Sequence, residues 1–407
     1  MTAEKKVVGV VCEYNPFHNG HKHQLDGLRA RGYDVIVCAM SGNFTQRGEL
    51  AIADKYTRAE AAVRCGADVV LELPFPFSSL SAEGFAGAGV QLLAAAGCDT
   101  LSFGSESADL ALLSKAADVV SSQEFISAYT ESQKSTGSAK AYFDLLLSFL
   151  GEDVRLLPND ILGISYISAI KRGEIDMSVL PIKREGAAYF HTALDSASNP
   201  SATAVRQAVK IAPDGFFSLT DSYLPSQALE ALKNAQSGGL APVFNDRIGA
   251  EILSFFKLMS PDELHTRAIK KSGGGVGVAE DGCGLTERLC SCAKRAHDFN
   301  SFINSAYNAR YPDARINRVL LFALLGASDI FVKALPSYST LLAASENGRK
   351  HLSSIRKSAT LPIITKPADA PDESLTDLIR LSDSLYASAM PGIANFDFFI
   401  KKHPYMG

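Results

Sequence analysis

A chain of 407 residues is long enough for two or three domains, and 46% hydrophobic with 21% charged residues excludes a disordered or fibrous protein. The formal net charge of -4 excludes a polycation that coats nucleic acid indiscriminately, so an RNA partner must be met by a local basic face. The opening residues carry no signal-peptide pattern, and no uninterrupted apolar run approaches the ~20 residues that cross a bilayer, so a cytoplasmic protein without membrane contact is expected.

The first predicted unit spans Val7 to Leu25, V-V-G-V-V-C-E-Y-N-P-F-H-N-G-H-K-H-Q-L. A β-branched run reads as a buried strand, Asn15-Pro16 as a sharp turn, and the residues from His18 as the opening of a helix. Residues three apart on a helix share a face, so His18 and His21 should project together. Free backbone N–H groups and the helix dipole at the same place suit a phosphate, and Gly20 leaves room for a flat ring or a phosphate against the backbone. Two imidazoles, exposed N–H groups and a gap beside them predict a nucleotide site.

Strands then alternate with helices. Helix is expected over 24–31, strand over 33–40, helix over 55–65, strand over 67–73, helix over 82–96, strand over 100–103 and helix over 108–120. This order predicts a parallel sheet covered by helices, with function in the loops at the carboxyl ends of the strands. Those loops hold Ser41 to Glu49, with Arg47, and Gly104 to Glu106. Residues 121–151 read as a helical cap, and Leu157-Pro158-Asn159-Asp160 as a helix start in which Asn159 or Asp160 caps or reaches a ligand. A fifth strand within 175–182 runs into Lys183 and Arg184, a pair of cations placed to hold a triphosphate. Asn199 to Arg206 sets Ser201 and Thr203 at another helix start, with Arg206 one turn in.

From about Pro213 amphipathic helices take over, at 224–236, 248–258, 285–296 and 314–325. Arg310, Arg315 and Arg318 cluster around Tyr311, a mixture of cations and an aromatic ring suited to a sugar–phosphate chain or to a solvated helix face. A small α/β part closes the chain: a strand near 341, a helix bearing Arg349, Lys350, Arg356 and Lys357, the strand L-P-I-I-T, and a helix over 372–389. The seven cysteines are odd in number and sit mostly in apolar runs, which suits reduced packing thiols. Cys283, Cys290 and Cys292 lack the spacing of a metal site, so no metal bound by the protein is expected.

The segment around His18 and His21 resembles the H-x-G-H signature of the nucleotidyltransferase superfamily, and Ser201 to Arg206 is similar to its I-S-S-T-x-x-R loop, although Ala202 and Ala204 alternate with the hydroxyls. A longer series of strings resembles the tRNA(Met) cytidine acetate ligase family: E-Y-N-P-F-H-N-G-H, M-S-G-N-F-T-Q-R-G-E, D-K-Y-T-R-A-E, C-G-A-D-V-V-L-E-L-P-F, F-G-S-E, P-N-D-I-L-G, I-K-R and S-A-T-A-V-R. The match weakens over 272–284 and after Pro367.

The resemblance implies a Rossmann-like parallel sheet, with residues 1–212 as an ATP-binding nucleotidyltransferase-like domain and 213–407 as a mainly helical tRNA-binding region. It implies an enzyme that makes acetyl-adenylate from ATP and acetate, then transfers the acetyl group to N4 of the wobble cytidine of elongator tRNA(Met). His18 and His21 would be catalytic. ATP would lie along Val11, Cys12, Glu13, Tyr14, Asn15, Pro16, Phe17, Asn19, Gly20, Lys22, His23 and Gln24, reaching Gly104, Asn159, Arg184 and Arg206, with Mg²⁺ on the triphosphate. Arg310, Arg315 and Arg318 are the candidates for tRNA, and no obligate protein partner is implied. The competing readings are a small-molecule adenylyltransferase, for which the long helical region would lack a purpose, and a non-catalytic RNA-binding protein on the same fold.

Overall fold

The computed structural model describes residues 5–133, 139–151, 153–184, 202–211, 221–268, 284–308, 311–327, 335–392 and 397–407. Five strands form a parallel sheet: β1 (Val7–Cys12), β2 (Val35–Ser41), β3 (Val69–Leu73), β4 (Thr100–Ser105) and β5 (Ser178–Lys183), in the spatial order β5-β4-β1-β2-β3. The apolar runs predicted as buried strands are buried: every residue of β2 and β3 is inaccessible to solvent or nearly so.

The connecting helices are α1 (Asn19–Ala30), α2 (Lys55–Arg64), α3 (Ala82–Ala95), α4 (Leu110–Ser121), α5 (Gln123–Gln133), α6 (Ala139–Leu150) and α7 (Pro158–Arg172). Right-handed crossovers put α1 and α2 on one face, and the reversal of direction between β3 and β4 puts α3 and α7 on the other. α3 lies close on β1 because Gly9 and Gly89 carry no Cβ. One added at Gly9 would stand 2.7 Å from Leu93 Cδ1, and one at Gly89 2.7 Å from Val11 Cγ2. The cap expected over 121–151 is the α5–α6 pair, locked by Phe125, Tyr129 and Tyr142 and resting on α4.

Beyond α8 (Ala202–Ile211) come α9 (Ser226–Ser237), α10 (Gly249–Leu258), α11 (Pro261–Ala268), α12 (Leu285–Arg295), α13 (Phe299–Ala306) and α14 (Asp313–Leu325), which bury Phe256, Leu289, Phe302 and Phe322. The closing α/β part adds to the same sheet. β6 (Ser339–Ala344) pairs antiparallel with β3, and β7 (Ile363–Ile364) and β8 (Tyr405–Met406) pair with β6. α15 (Glu346–Ile355) and α16 (Glu373–Ala389) complete it. The strand expected at L-P-I-I-T shrinks to two residues, since Pro362 brings no N–H to a ladder.

One buried ionic cluster ties this return to the sheet. Lys55 Nζ donates to Glu72 Oε1 at 2.7 Å and to Asp383 Oδ2 at 2.8 Å, and Asn43 Nδ2 donates to Asp383 Oδ1 at 2.9 Å. It joins α2, β3, the loop after β2 and α16.

Candidate active site

β1 and β4 are neighbours whose onward connections run to opposite sides of the sheet, so a crevice opens beyond their carboxyl ends. A cleft of about 680 Å³ lies there. Its floor is the end of β1 with Tyr14 and Asn15, Phe103 and Gly104 of β4, and Ile182 and Lys183 at the end of β5 with Arg184 just beyond it.

His18 is the N-cap of α1, and its Nδ1 accepts the Gly20 N–H at 3.1 Å, while His21 Nδ1 accepts the His18 N–H at 3.2 Å. The rings stack with centroids 3.7 Å apart, and Tyr14 meets the His21 ring edge-on at 4.8 Å. This corrects the expectation of free N–H groups at the helix start, because the imidazoles themselves take up two of them. The room left by Gly20 is likewise used by the His18 ring, since a Cβ there would stand 2.9 Å from His18 Cε1.

With both Nδ1 atoms accepting, each neutral ring carries its proton on Nε2 and offers one N–H donor. Burial, with Arg184 and Arg206 nearby, lowers the His18 pKa to about 3, and burial with His18 and Arg184 lowers that of His21 well below its ordinary value.

The walls carry cations. α8 is held by Val205 and Val209, buried against Ile52 and Leu232. From it Arg206 Nη1 donates to Asn15 O at 2.8 Å and Nη2 to Thr203 Oγ1 at 3.3 Å. Lys183, Arg184 and Arg47 also line the cleft. Gln24 does too, and its buried Nε2 has no partner among the described residues.

On the opposite wall Asn159 Nδ2 donates to Glu106, whose Oε2 accepts the Asp160 N–H at 3.1 Å. Asp160 caps its own helix and binds the hydroxyls of Ser105 and Ser107. These bonds hold its carboxyl below the ordinary range, although burial works against them.

Of the residues expected to meet ATP, Val11 to Asn15, Gly20, His23, Gln24, Gly104, Asn159, Arg184 and Arg206 line the cleft together with the two histidines. Pro16, Phe17, Asn19 and Lys22 do not: Phe17 is buried behind His21, Asn19 Nδ2 donates to Ser222 O at 3.0 Å, and Lys22 pairs with Asp26. Thr203 lines the cleft, while Ser201 lies outside the described residues.

Ser41 and Asn43, in the loop after β2 where function was expected, do not line the cleft. β2 continues through Ser41 and buries it, and Asn43 is taken up by Asp383 and the Lys55 N–H. Arg310 lies outside the described residues. Arg315 stacks on Tyr311 at 5.4 Å, whereas Arg318 turns inward to Gln46 O at 3.4 Å, with its pKa lowered to about 10 by burial and by Arg315.

Three features have no local signature. Arg58 is buried under the mouth of the sheet and donates to Glu13 O at 2.6 Å, Ala53 O at 2.9 Å, Ser41 O at 3.1 Å and Gly42 O. Tyr307 and Pro312 to Ala314 supply the far rim of the cleft from the helical region. Glu49 lines the cleft beside Arg206 and Arg47, and burial raises its pKa.

The described cysteines are free thiols, and no cluster of three or more His, Cys, Asp or Glu side chains suited to a metal occurs among the described residues. No helix among those residues is long and apolar enough to cross a membrane.

A crevice at a sheet switch point, with an H-x-G-H pair capping the first helix, defines a nucleotidyltransferase, and the model of the HIGH Nucleotidyl Transferase family matches residues 5–396. The tRNA(Met) cytidine acetate ligase of Listeria monocytogenes is 33% identical over 93% of this chain and 94% of its own length, and that of Thermotoga maritima is 36% identical over 87% and 85%. The chain belongs to the tRNA(Met) cytidine acetate ligase family. Two crystal structures of Thermotoga maritima TmcAL, one apo and one bound with alpha-thio ATP, superpose with TM-scores of 0.87 and 0.86 at 31% identity, each covering 98% of this chain and 99% of the other.

Proposed function

We propose that this protein is an ATP-dependent ligase that activates acetate as acetyl-adenylate, with loss of pyrophosphate, and passes the acetyl group to N4 of the wobble cytidine of elongator tRNA(Met). The observation that carries the reading is the stacked histidine pair, both Nδ1 atoms satisfied by backbone N–H, at the cleft that Arg184 and Arg206 also line. Adenylyl transfer needs stabilised charge on the α-phosphate and a neutralised leaving group, with no covalent protein intermediate. The two Nε2–H donors serve the α-phosphate as acetate attacks, and Arg184, Lys183 and Arg206 hold the departing pyrophosphate. ATP enters as its Mg²⁺ salt, the ion held by phosphate and water.

Residues 1–212 carry this chemistry, and 213–407, which reach the cleft through Tyr307 and Pro312 to Ala314, present the tRNA. Arg315 on Tyr311 fits a phosphate or base contact, with Arg310 as its companion. Arg318 is better suited to holding the Gln46 loop.

The test is incubation with radiolabelled acetate, ATP and unmodified tRNA(Met), followed by nucleoside analysis. Label should appear as N4-acetylcytidine. Label absent from the tRNA, with adenylyl transfer to a metabolite phosphate instead, would establish a small-molecule adenylyltransferase.

A further inference from the structure

The second half of the proposed reaction needs a base that the first half does not. As the new bond forms between the cytosine amine and the acetyl carbon, the bond from that carbon to the AMP oxygen breaks and its electron pair leaves with AMP. The amine nitrogen must then release a proton. Neither histidine is placed to take it: each Nδ1 already accepts a backbone N–H, so each Nε2 carries a proton.

Three carboxyl groups line the cleft, those of Glu13, Glu49 and Asp313. Glu13 Oε1 is already engaged, accepting the Gln46 N–H at 2.8 Å. Asp313 lies in the first turn of α14, on the far rim of the cleft. The Glu49 carboxylate makes no hydrogen bond among the described residues.

We propose, building on the reaction given above, that Glu49 is the general base of the acyl-transfer step and accepts the proton released by the N4 amine.

Its support is rigid, as proton transfer requires. The loop from Phe44 to Leu50 closes on itself through an antiparallel bridge. Thr45 N–H donates to Glu49 O at 2.9 Å, the Gly48 N–H donates to Thr45 O at 2.9 Å, and Asn245 Oδ1 holds the Leu50 N–H at 2.8 Å. Gly48 lies against the α14 backbone, 2.6 Å from Arg318 N to its would-be Cβ, which fixes the loop to the rim through which tRNA would approach. The charged groups facing Glu49 are Arg206 from α8, Arg47 from its own loop, Glu13 from the end of β1 and Asp313 from α14. Burial is the largest influence and raises its proton affinity, and Glu13 and Asp313 add to this, while the two arginines oppose it. A base of raised pKa takes a proton near neutral pH more readily than an ordinary glutamate.

The test separates the half-reactions in Glu49→Gln, using the full chain and unmodified tRNA(Met) transcript. Acetate-dependent ATP–pyrophosphate exchange reports the first step, and single-turnover transfer of labelled acetyl reports the second. A selective fall in transfer of about 10²–10⁴-fold, with exchange reduced far less, is expected. Transfer near the wild-type rate, or both steps falling together, would overturn the proposal. The pH profile gives a second reading: wild-type transfer should slow as pH falls through the Glu49 pKa, an inflection that Glu49→Gln lacks, and superimposable wild-type and variant profiles would refute the proposal. A wild-type protein that never acetylates tRNA would instead refute the reaction itself, whatever Glu49 does.

Discussion

Replacing Lys55 with Met should destabilise the protein through a cost that depends on pH. The lysine side chain is 3% accessible, that of Glu72 3% and that of Asp383 12%, so no water replaces the ammonium when it is removed. Methionine fills the volume of the stem, and the loss is therefore electrostatic. Leaving buried carboxylates without their cation costs about 3–5 kcal/mol, which for a chain of this size lowers Tm by about 3–6 °C.

The wild-type cluster carries one cation against two carboxylates, and Asp383 has its pKa pushed up to about 6 by burial and by Glu72, more than Lys55 lowers it. A carboxyl whose folded pKa is raised contributes stability that is full below its unfolded value near 4 and is lost as pH climbs through 6. Removing Lys55 raises the proton affinity of Asp383 further. The penalty of Lys55→Met should then be smaller at pH 5, where Asp383 takes up a proton, and largest at pH 8. Scanning calorimetry of both proteins across that range measures it. A variant as stable as wild type at pH 8, or a loss independent of pH, would refute the reasoning.

Gly48→Ala places a side chain at a left-handed φ of 70° and 2.6 Å from the Arg318 backbone nitrogen, so α14 must shift. It should cost about 1–3 kcal/mol in thermal melts and slow acetyl transfer to tRNA more than pyrophosphate exchange. Gly163→Ala drives a methyl to 2.4 Å from the Phe103 ring, part of the cleft floor, and should raise the KM for ATP as well as lower Tm. Arg58→Ala leaves the carbonyls of Glu13, Ser41, Gly42 and Ala53 without their shared donor; a loss of about 3 kcal/mol by denaturant titration is expected, partly restored by Arg58→Lys. In the unliganded cleft the lowered His18 pKa of about 3 contributes stability that is present above 6.5 and lost as pH falls toward 3. With each Nδ1 taken by a backbone N–H the pair stays neutral, so ATP binding at pH 6 should take up no protons beyond those of ATP itself. Titration calorimetry in buffers of different ionisation enthalpy checks this, and a proton uptake that His18→Asn removes would contradict it.

The parts of the fold that could be read from the sequence are those set by short-range pattern. β1, β2 and β3 are continuous apolar runs bounded by turn residues, and α2 has Asp54 as a cap and Gly66 just beyond its end. The histidine pair, Arg184, Thr203 and Arg206 were legible because each stands at the start of a helix or the end of a strand. What was not legible joins distant positions. The side chain that completes the Lys55 cluster is Asp383, and nothing near Asp383 marks it as buried. β6 pairs antiparallel on the β3 edge, whereas an apolar strand pattern states neither partner nor direction.

The far rim of the cleft comes from Tyr307 and from Pro312 to Ala314, about 290 residues after the histidines it faces. Ser41 and Asn43 looked like loop residues open to a ligand, but β2 runs one residue further than expected and turns them inward. Glu49 resembled any acid in a polar loop, and only the packing of that loop against α14 sets its carboxyl in the cleft.

The central claim is that the two imidazoles act on the α-phosphate as acetate becomes an acyl donor. Acetate-dependent ATP–pyrophosphate exchange by His21→Ala, compared with wild type at matched folded fraction, tests it most directly. The account predicts a fall of about 10²–10³-fold, as expected for loss of one oriented donor to a developing oxyanion. Exchange within a few-fold of wild type, in a protein that still binds ATP, would contradict it.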